Sequence, residues 1–308
     1  MTRRRIGLVG WIGSFVLLLL GAASPGAASG GAAHARADRE ARPLLPIVAW
    51  FSGERLDYDV SVLFFSRAAA SRLTLEPAPA AGSGASLADG DAGTWGGRYV
   101  ARATIETKGF VGWLNRRRHV YTSSLVPCEE GRRWCTRRFV MDLTDGGHRE
   151  VRTTSIDPAR GLVTWTVERD GAVVETGREP MQPGRRYDDM LAALYNLRAG
   201  AYGPIERGRR YEIETLPLEG VGSFAIRVLA GAEEAEARRK FDFGEGGFVI
   251  AARIPKAIFG REGEAFAWLS PDLVPLRGAV EQYIGFGDVH GRLVGATRPA
   301  DALAARGR

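Results

Sequence analysis

Alternation of apolar and polar residues with a period of two constrains this chain more than any other feature. From Glu54 to Phe65 the run ERLDYDVSVLFF places Leu56, Tyr58, Val60, Val62 and Phe64 on one face and Asp57, Asp59 and Ser61 on the other. That is the pattern of a half-buried antiparallel strand. Shorter versions recur around Leu73 and Leu75, at Tyr99 to Thr107, His119 to Leu125, Thr136 to Leu143, Glu150 to Ile156, Leu162 to Val167 and Ala172 to Thr176. They resume at Arg210 to Leu216, Ser223 to Leu229, Phe248 to Ile254, Ala265 to Leu269, Leu276 to Ile284 and Val289 to Val294. Turn residues punctuate them, most clearly Asp145-Gly146-Gly147 and Asp170-Gly171, which favour tight hairpins. A parallel sheet would need a long crossover between each pair of strands. The expected fold is therefore mainly β, a large antiparallel sheet curled into an open or closed β-barrel.

One stretch breaks the alternation. In RYDDMLAALYNLRAGAYG, Arg186 to Gly203, the residues Tyr187, Met190, Leu191, Leu194 and Tyr195 recur at helical spacing and define one apolar stripe. Pro183-Gly184 precedes the stretch, Gly200 supplies a left-handed stop and Pro204 lies beyond it. An amphipathic helix packed against the concave face of the sheet is expected, with Asp188 and Asp189 near solvent as cap and dipole partners. The connection from Thr176 to Arg210 could mark a boundary between two domains. A single domain over residues 44–298 is preferred, because the stripe needs a sheet to cover it. Phe110 to Leu114 reads as a compact apolar turn, and Glu233 to Lys240 is charged and ambiguous.

The chain begins with Arg3-Arg4-Arg5, then an apolar run from Ile6 to Leu20 and small residues around Ala33 to Ala37. This is the layout of a secretory signal peptide, so residues 1–37 are expected to be signal and disordered leader and the protein periplasmic or secreted. An uncleaved membrane anchor is the alternative, since the run approaches the roughly 20 residues that span a bilayer. Pro77 to Gly97 reads as a long loop, and residues 299–308 as a loose tail. Formal net charge is +6, yet only Lys108, Lys240 and Lys256 are lysines. No basic arm or recognition helix accompanies the charge, and nucleic acid is not expected as a partner.

Four segments, FSGERLDYDVSV (Phe51 to Val62), YDDMLAALYNLRAGAYG (Tyr187 to Gly203), GRRYEIETL (Gly208 to Leu216) and AFAWLSPDLVPLR (Ala265 to Arg277), fall in an order and spacing that resembles the exported bacterial family called domain of unknown function 3108. The likeness covers most of the mature chain. It implies a secreted or periplasmic β protein and supplies no catalytic residue. The chain departs from that pattern in the loop from Pro77 to Gly97 and in the Cys128 to Cys135 segment.

Cys128 and Cys135 lie between two strand signals with a turn-like Glu129-Glu130-Gly131-Arg132 between them. In an oxidising compartment they are expected to form a disulfide that clips a hairpin, stabilising it by on the order of 2.5 kcal/mol in the loop-entropy model. Catalytic chemistry has little to stand on. His119, His148 and His290 are scattered, no Gly-x-Ser-x-Gly or His-Glu-x-x-His occurs, and Glu54, Asp188 and Asp189 read as structural carboxylates rather than an acid/base pair. The glycines of Gly244 to Gly247 and Gly285 to Gly291 read as hairpin turns. No catalytic residue, metal or cofactor is assigned.

Two basic clusters stand beside tryptophan, Arg116-Arg117-Arg118 next to Trp113 and Arg132, Arg133, Arg137 and Arg138 around Trp134. Arginine forks suit phosphate and carboxylate groups. The candidate ligand site combines a rim of Trp113, Arg116 and Arg118 with Tyr187, Leu191, Leu194 and Tyr195 on the helix. The first functional expectation is a non-catalytic module that binds a lipid or other amphiphile in the barrel. The alternative is a structural or interaction protein of cell-envelope assembly, with an envelope protein as partner and a core filled by its own side chains.

Overall fold

The structure, a computed structural model, describes residues 46–62, 65–79, 99–218, 221–254, 263–281 and 288–299. The expected signal peptide and leader, most of the long loop, Phe64, the second glycine cluster's first two glycines and nearly all of the tail lie outside them. Among the described residues there are fourteen strands, and all belong to one antiparallel sheet. The first eight are β1 (Glu54–Val62), β2 (Phe65–Pro77), β3 (Tyr99–Thr107), β4 (Arg117–Cys128), β5 (Arg133–Asp145), β6 (His148–Asp157), β7 (Leu162–Arg169) and β8 (Ala172–Pro180). Then come β9 (Arg210–Leu218), β10 (Val221–Val228), β11 (Phe248–Ile254), β12 (Gly263–Leu269), β13 (Pro275–Val280) and β14 (Val289–Thr297).

Each strand pairs with its neighbour in sequence, save that β1 also pairs with β14 and β8 does not pair with β9. The sheet is therefore an open barrel whose two edges are β8 and β9, and the strands on both sides of the helical stretch share it. Its turns follow the turn chemistry. Asp170 and Gly171, and Gly146 and Gly147, all have positive φ, as a two-residue hairpin turn that matches strand twist requires. The inward face of β1 is Glu54, Leu56, Tyr58 and Val60, all buried. Cys128 and Cys135 are joined across the β4–β5 hairpin with their Cα atoms 5.9 Å apart.

Among the described residues four helical segments accompany the sheet, α1 (Ile47–Phe51), α2 (Gly109–Leu114), α3 (Met190–Arg198) and α4 (Gly231–Phe241). The expectation of one helix is thus corrected: the apolar Phe110 to Leu114 turn is helical, and the ambiguous charged stretch is α4, the longest helix among the described residues. Glu234, Ala237 and Phe241 of α4 are buried, one turn or two apart on a single face. Ala237 and Phe241 pack on Val249, Ala251, Phe266 and Ala279 of the sheet. The alternating residues Ile250, Ala252, Ala265 and Ala267 face the main core instead. Both faces of β11 and β12 are covered, which explains their nearly continuous apolar sequence. Gly244, Gly246 and Gly247 consequently lead from α4 into β11 and are not a hairpin turn. A Cβ on Gly247 would come within 1.9 Å of the Leu269 carbonyl oxygen.

The helix read from the sequence occupies the interior, with two corrections. It is shorter, because the backbone at Asp188 is extended and bridges Thr215 of β9 in parallel, with Leu216 N–H donating to the Asp188 carbonyl at 2.8 Å. The β9 edge is covered there by the segment that enters the helix. Nor is α3 amphipathic in its surroundings, since every residue from Met190 to Arg198 is buried. It contacts β3, β4, β5 and β9. The small residues Ala101 and Ala103 on the inner face of β3, both fully buried, leave the space it fills.

Candidate functional site

The chemistry-bearing side chains of the interior gather at the two ends of α3. Asp189 is its N-cap: its Oδ1 accepts from the Leu191 and Ala192 amides at 2.7 and 3.1 Å, satisfying donors that a helix start leaves free. Its Oδ2 accepts from the hydroxyls of Ser123 on β4 and Thr136 on β5, and its own amide donates to Thr136 Oγ1 at 3.0 Å. Burial pushes the Asp189 carboxyl up, while those hydroxyl and amide donors pull it back down.

Asp188 takes a second set of partners. Arg133 donates to Oδ1, and the Asn196 amide and Tyr202 hydroxyl donate to Oδ2 at 3.1 and 2.6 Å. Burial opposes the charge of Arg133, but Asp188 and Glu129 more than offset this and hold its pKa above the ordinary value. Burial and the Asp188 charge push the Tyr202 phenol up. Asn196 also accepts from the Trp134 amide at 2.7 Å and donates to its carbonyl at 2.9 Å. The β5–β6 ladder begins only at Arg138, so this side-chain amide stands where a strand partner is missing.

At the C-terminal end, Arg198 grips Glu54 of β1 with two parallel bonds of 2.6 and 2.7 Å and donates to the Leu273 carbonyl at 2.9 Å. The pair is almost wholly buried, with side-chain exposures of 1% and 0%. Phe51 and Tyr195 rings lie 4.8 and 5.4 Å from the guanidinium. Burial works against the Arg198 charge, and Glu54 overcomes it so that its pKa is raised. Burial, with Glu54 second, pushes Tyr195 up.

Asp188 and Asp189, each 1% exposed, are not near solvent as expected. The physical reason is that their charges are compensated from inside, one by Arg133 and one by four hydrogen-bond donors. What these groups do chemically is hold α3 in place: each carboxylate oxygen is occupied by a donor from the protein itself.

The structure brings Tyr187, Leu191, Leu194 and Tyr195 together inside the barrel and sets Trp113, Arg116 and Arg118 elsewhere. α3 meets β4 at Ser123, six residues from Arg117, or roughly 20 Å along a strand. Trp113 and Arg116 lie in the β3–β4 connection beyond Arg117, and Arg118 alternates with Ser123 and so lies on the other face of β4. The second basic cluster is divided too, since Trp134 is fully buried and Arg133 turns inward. Between α3 and β9–β11 remains a cavity of about 30 Å³ lined by Met190, Ala193, Leu194, Leu197, Ile213, Thr215, Phe224, Ile226 and Ala252. That is room for a water molecule or two, and no acyl chain fits it as it stands.

The sequence reading missed Asn196, Ser123, Thr136 and the Glu54–Arg198 pair, and it grouped Arg133 with the basic cluster around Trp134 instead of with Asp188. Their signal was position: Glu54 shares parity with Leu56 and Tyr58, Ser123 with Tyr121 and Leu125, and Arg198 lies on the stripe of Leu191 and Leu194.

An open antiparallel sheet filled by its own helix defines a β-barrel-like protein. Its structure is similar to the crystal structure of a β-barrel-like protein of domain of unknown function DUF1849 from Brucella abortus, at TM-score 0.42 and 11% identity over 80% of this chain and 98% of that one. No family model and no curated protein sequence matches the chain. Among the described residues no helix is long and apolar enough to cross a membrane.

Proposed function

We propose that this is an exported, non-catalytic protein of the cell envelope, a self-filled β-barrel that acts through its surface in envelope assembly. The observation that carries the reading is α3, buried on every side and tied to the sheet by hydrogen bonds and ion pairs at both ends. Such a helix is core. The N-terminal Arg3 to Leu20 segment supports export, and the resemblance to domain of unknown function 3108 agrees with a secreted or periplasmic β protein. A second reading, a lipid or other amphiphile held in the barrel, starts from the apolar cavity beside Leu194, where the Thr215 hydroxyl has no hydrogen-bond partner, and requires α3 to shift before an acyl chain enters. Mass spectrometry of the gently isolated native protein separates them. The bare mass of the chain is expected, and a stoichiometric acyl lipid would replace the first reading by the second.

A further inference from the structure

The apolar groups that the interior does not absorb are concentrated at one tip of the barrel. Phe110, Trp113 and Leu114 of α2 are 58%, 79% and 71% exposed, and Phe65 at the start of β2 is 42% exposed. Phe65 stacks on Phe110 at 5.9 Å between centroids, and Phe110 meets Trp113 at 5.7 Å. A six-residue helix has little stability of its own, yet α2 is firmly held. Lys108 N–H donates to the Ala68 carbonyl at 2.8 Å, and the Thr107 hydroxyl joins the Asn115 carbonyl and the Arg117 amide. A Cβ on Gly112 would lie 2.9 Å from the Thr107 carbonyl oxygen, so the glycine lets the helix fold closely back on β3. The knob is built to present its apolar side chains, none of which is buried.

Charge surrounds it asymmetrically. Lys108 is paired with Glu106, Arg67 with Asp59 and Arg117 with Asp145. Arg116 and Arg118 are exposed and make no salt bridge among the described residues; after Lys108 they share the Glu106 carboxylate, which stands opposite Arg118 in the β3–β4 ladder, and five cations against three carboxylates leave the tip cationic. A protruding aromatic knob with exposed guanidinium groups beside it matches the chemistry of a bilayer interface, where aromatic rings settle at head-group depth and arginine meets anionic phosphate. A protein groove would accept the rings, but it gives no reason for the surplus of cations.

We propose that this tip docks the barrel on the surface of an anionic phospholipid membrane, with Phe65, Phe110, Trp113 and Leu114 inserted at the interface and Arg116 and Arg118 on the head groups. The inference rests on surface chemistry and holds whichever way the barrel interior is filled. The test is co-sedimentation of the full chain with vesicles of phosphatidylcholine and phosphatidylglycerol. The apolar Ile6 to Leu20 run is present in every variant, so the comparison between variants is what is read. Phe110→Ser with Trp113→Ser should weaken binding about tenfold or more. Arg116→Glu with Arg118→Glu should weaken it several-fold at low salt, with the difference shrinking at high salt. Val173→Ser with Val174→Ser, equally exposed on the β8 edge, should leave it unchanged, and thermal midpoints should hold throughout. Equal binding by the wild type and the Phe110/Trp113 variant would overturn the proposal. So would a variant that keeps its vesicle affinity and loses a defined protein partner.

Discussion

The two longest helices among the described residues solve opposite problems with the same chemistry. α3 lies inside the barrel with all nine residues buried, whereas α4 lies on the outer face of β11 and β12 and buries three of eleven. Each carries an arginine on a carboxylate. Arg198 holds Glu54 where both side chains are at most 1% exposed, and Arg238 holds Glu234 where they are 17% and 10% exposed, with Arg207 as a second partner. Water reaches the second pair and not the first. The helix rich in charge stays outside because only one narrow stripe of it is apolar. The helix poor in charge goes inside, and its few polar groups must then find partners there.

The sharpest way to break this contrast is to unpair Arg198. Arg198→Met leaves the Glu54 carboxylate buried without compensation, which is expected to cost about 3 to 5 kcal/mol. Urea unfolding would measure it. Replacing both partners, Glu54→Leu with Arg198→Met, should recover much of the loss, because no uncompensated charge remains. A cost for Arg198→Met under about 1 kcal/mol would mean that the pair does not seat the helix.

A second test uses pH to ask how dry the barrel is away from α3. His119 lies on the inner face of β4, 4% exposed. Burial, with Arg117 adding to it, pushes its pKa from 6.5 down to about 4. The unfolded chain therefore takes up a proton at the ordinary histidine value while the folded chain resists it. Stability from this group is present above pH 6.5 and lost as pH falls through about 4, a loss of about 3 kcal/mol. Asp189 works in the opposite sense. Its carboxyl is raised, so its contribution is largest below the ordinary carboxylate range and declines as pH rises through the folded value. Subtracting the pH profile of His119→Gln isolates the histidine. A wild type and variant that lose stability in parallel between pH 6.5 and 4 would show that His119 is hydrated.

These groups also show what was legible beforehand. The strand pattern was written in local alternation, and every strand signal from Glu54 onward has its counterpart in the sheet, as do the disulfide and the existence of α3. Partners across the sheet were not legible. Leu56 on an inward face needs only apolar surroundings, but Glu54 beside it needs Arg198, 144 residues away. Charge therefore argued for solvent where position argued for the core, and position was right at Glu54, by strand parity, and at Arg198, by the helix stripe. α4 failed for a related reason: its buried stripe is Glu234, Ala237 and Phe241, only two of them apolar, in a charged run, and only the covered outer face of β11 and β12 selects a helix there. The candidate ligand residues were legible as types, arginine and tryptophan beside a helix stripe, while the distance that divides them depends on which end of β4 each one meets.

The smallest expected effect completes the comparison on the outside. Arg238→Met removes one guanidinium from Glu234, but Arg207 stays at 2.7 Å on the other oxygen, and water can solvate what is exposed. The nearby cations hold the Glu234 carboxyl below its usual range against the upward pull of burial, so one of them can leave without stranding the charge. The loss should be about 1 kcal/mol or less, several times smaller than for Arg198→Met, and smaller again at high salt, where screening acts on exposed pairs and spares buried ones. Arg238 also donates to the Gly244 and Gly246 carbonyls, so any excess over that figure belongs to the α4–β11 connection. It would persist in Glu234→Gln with Arg238→Met measured against Glu234→Gln alone. If both arginines instead cost the same in urea unfolding and respond alike to salt, burial is not what separates the two helices.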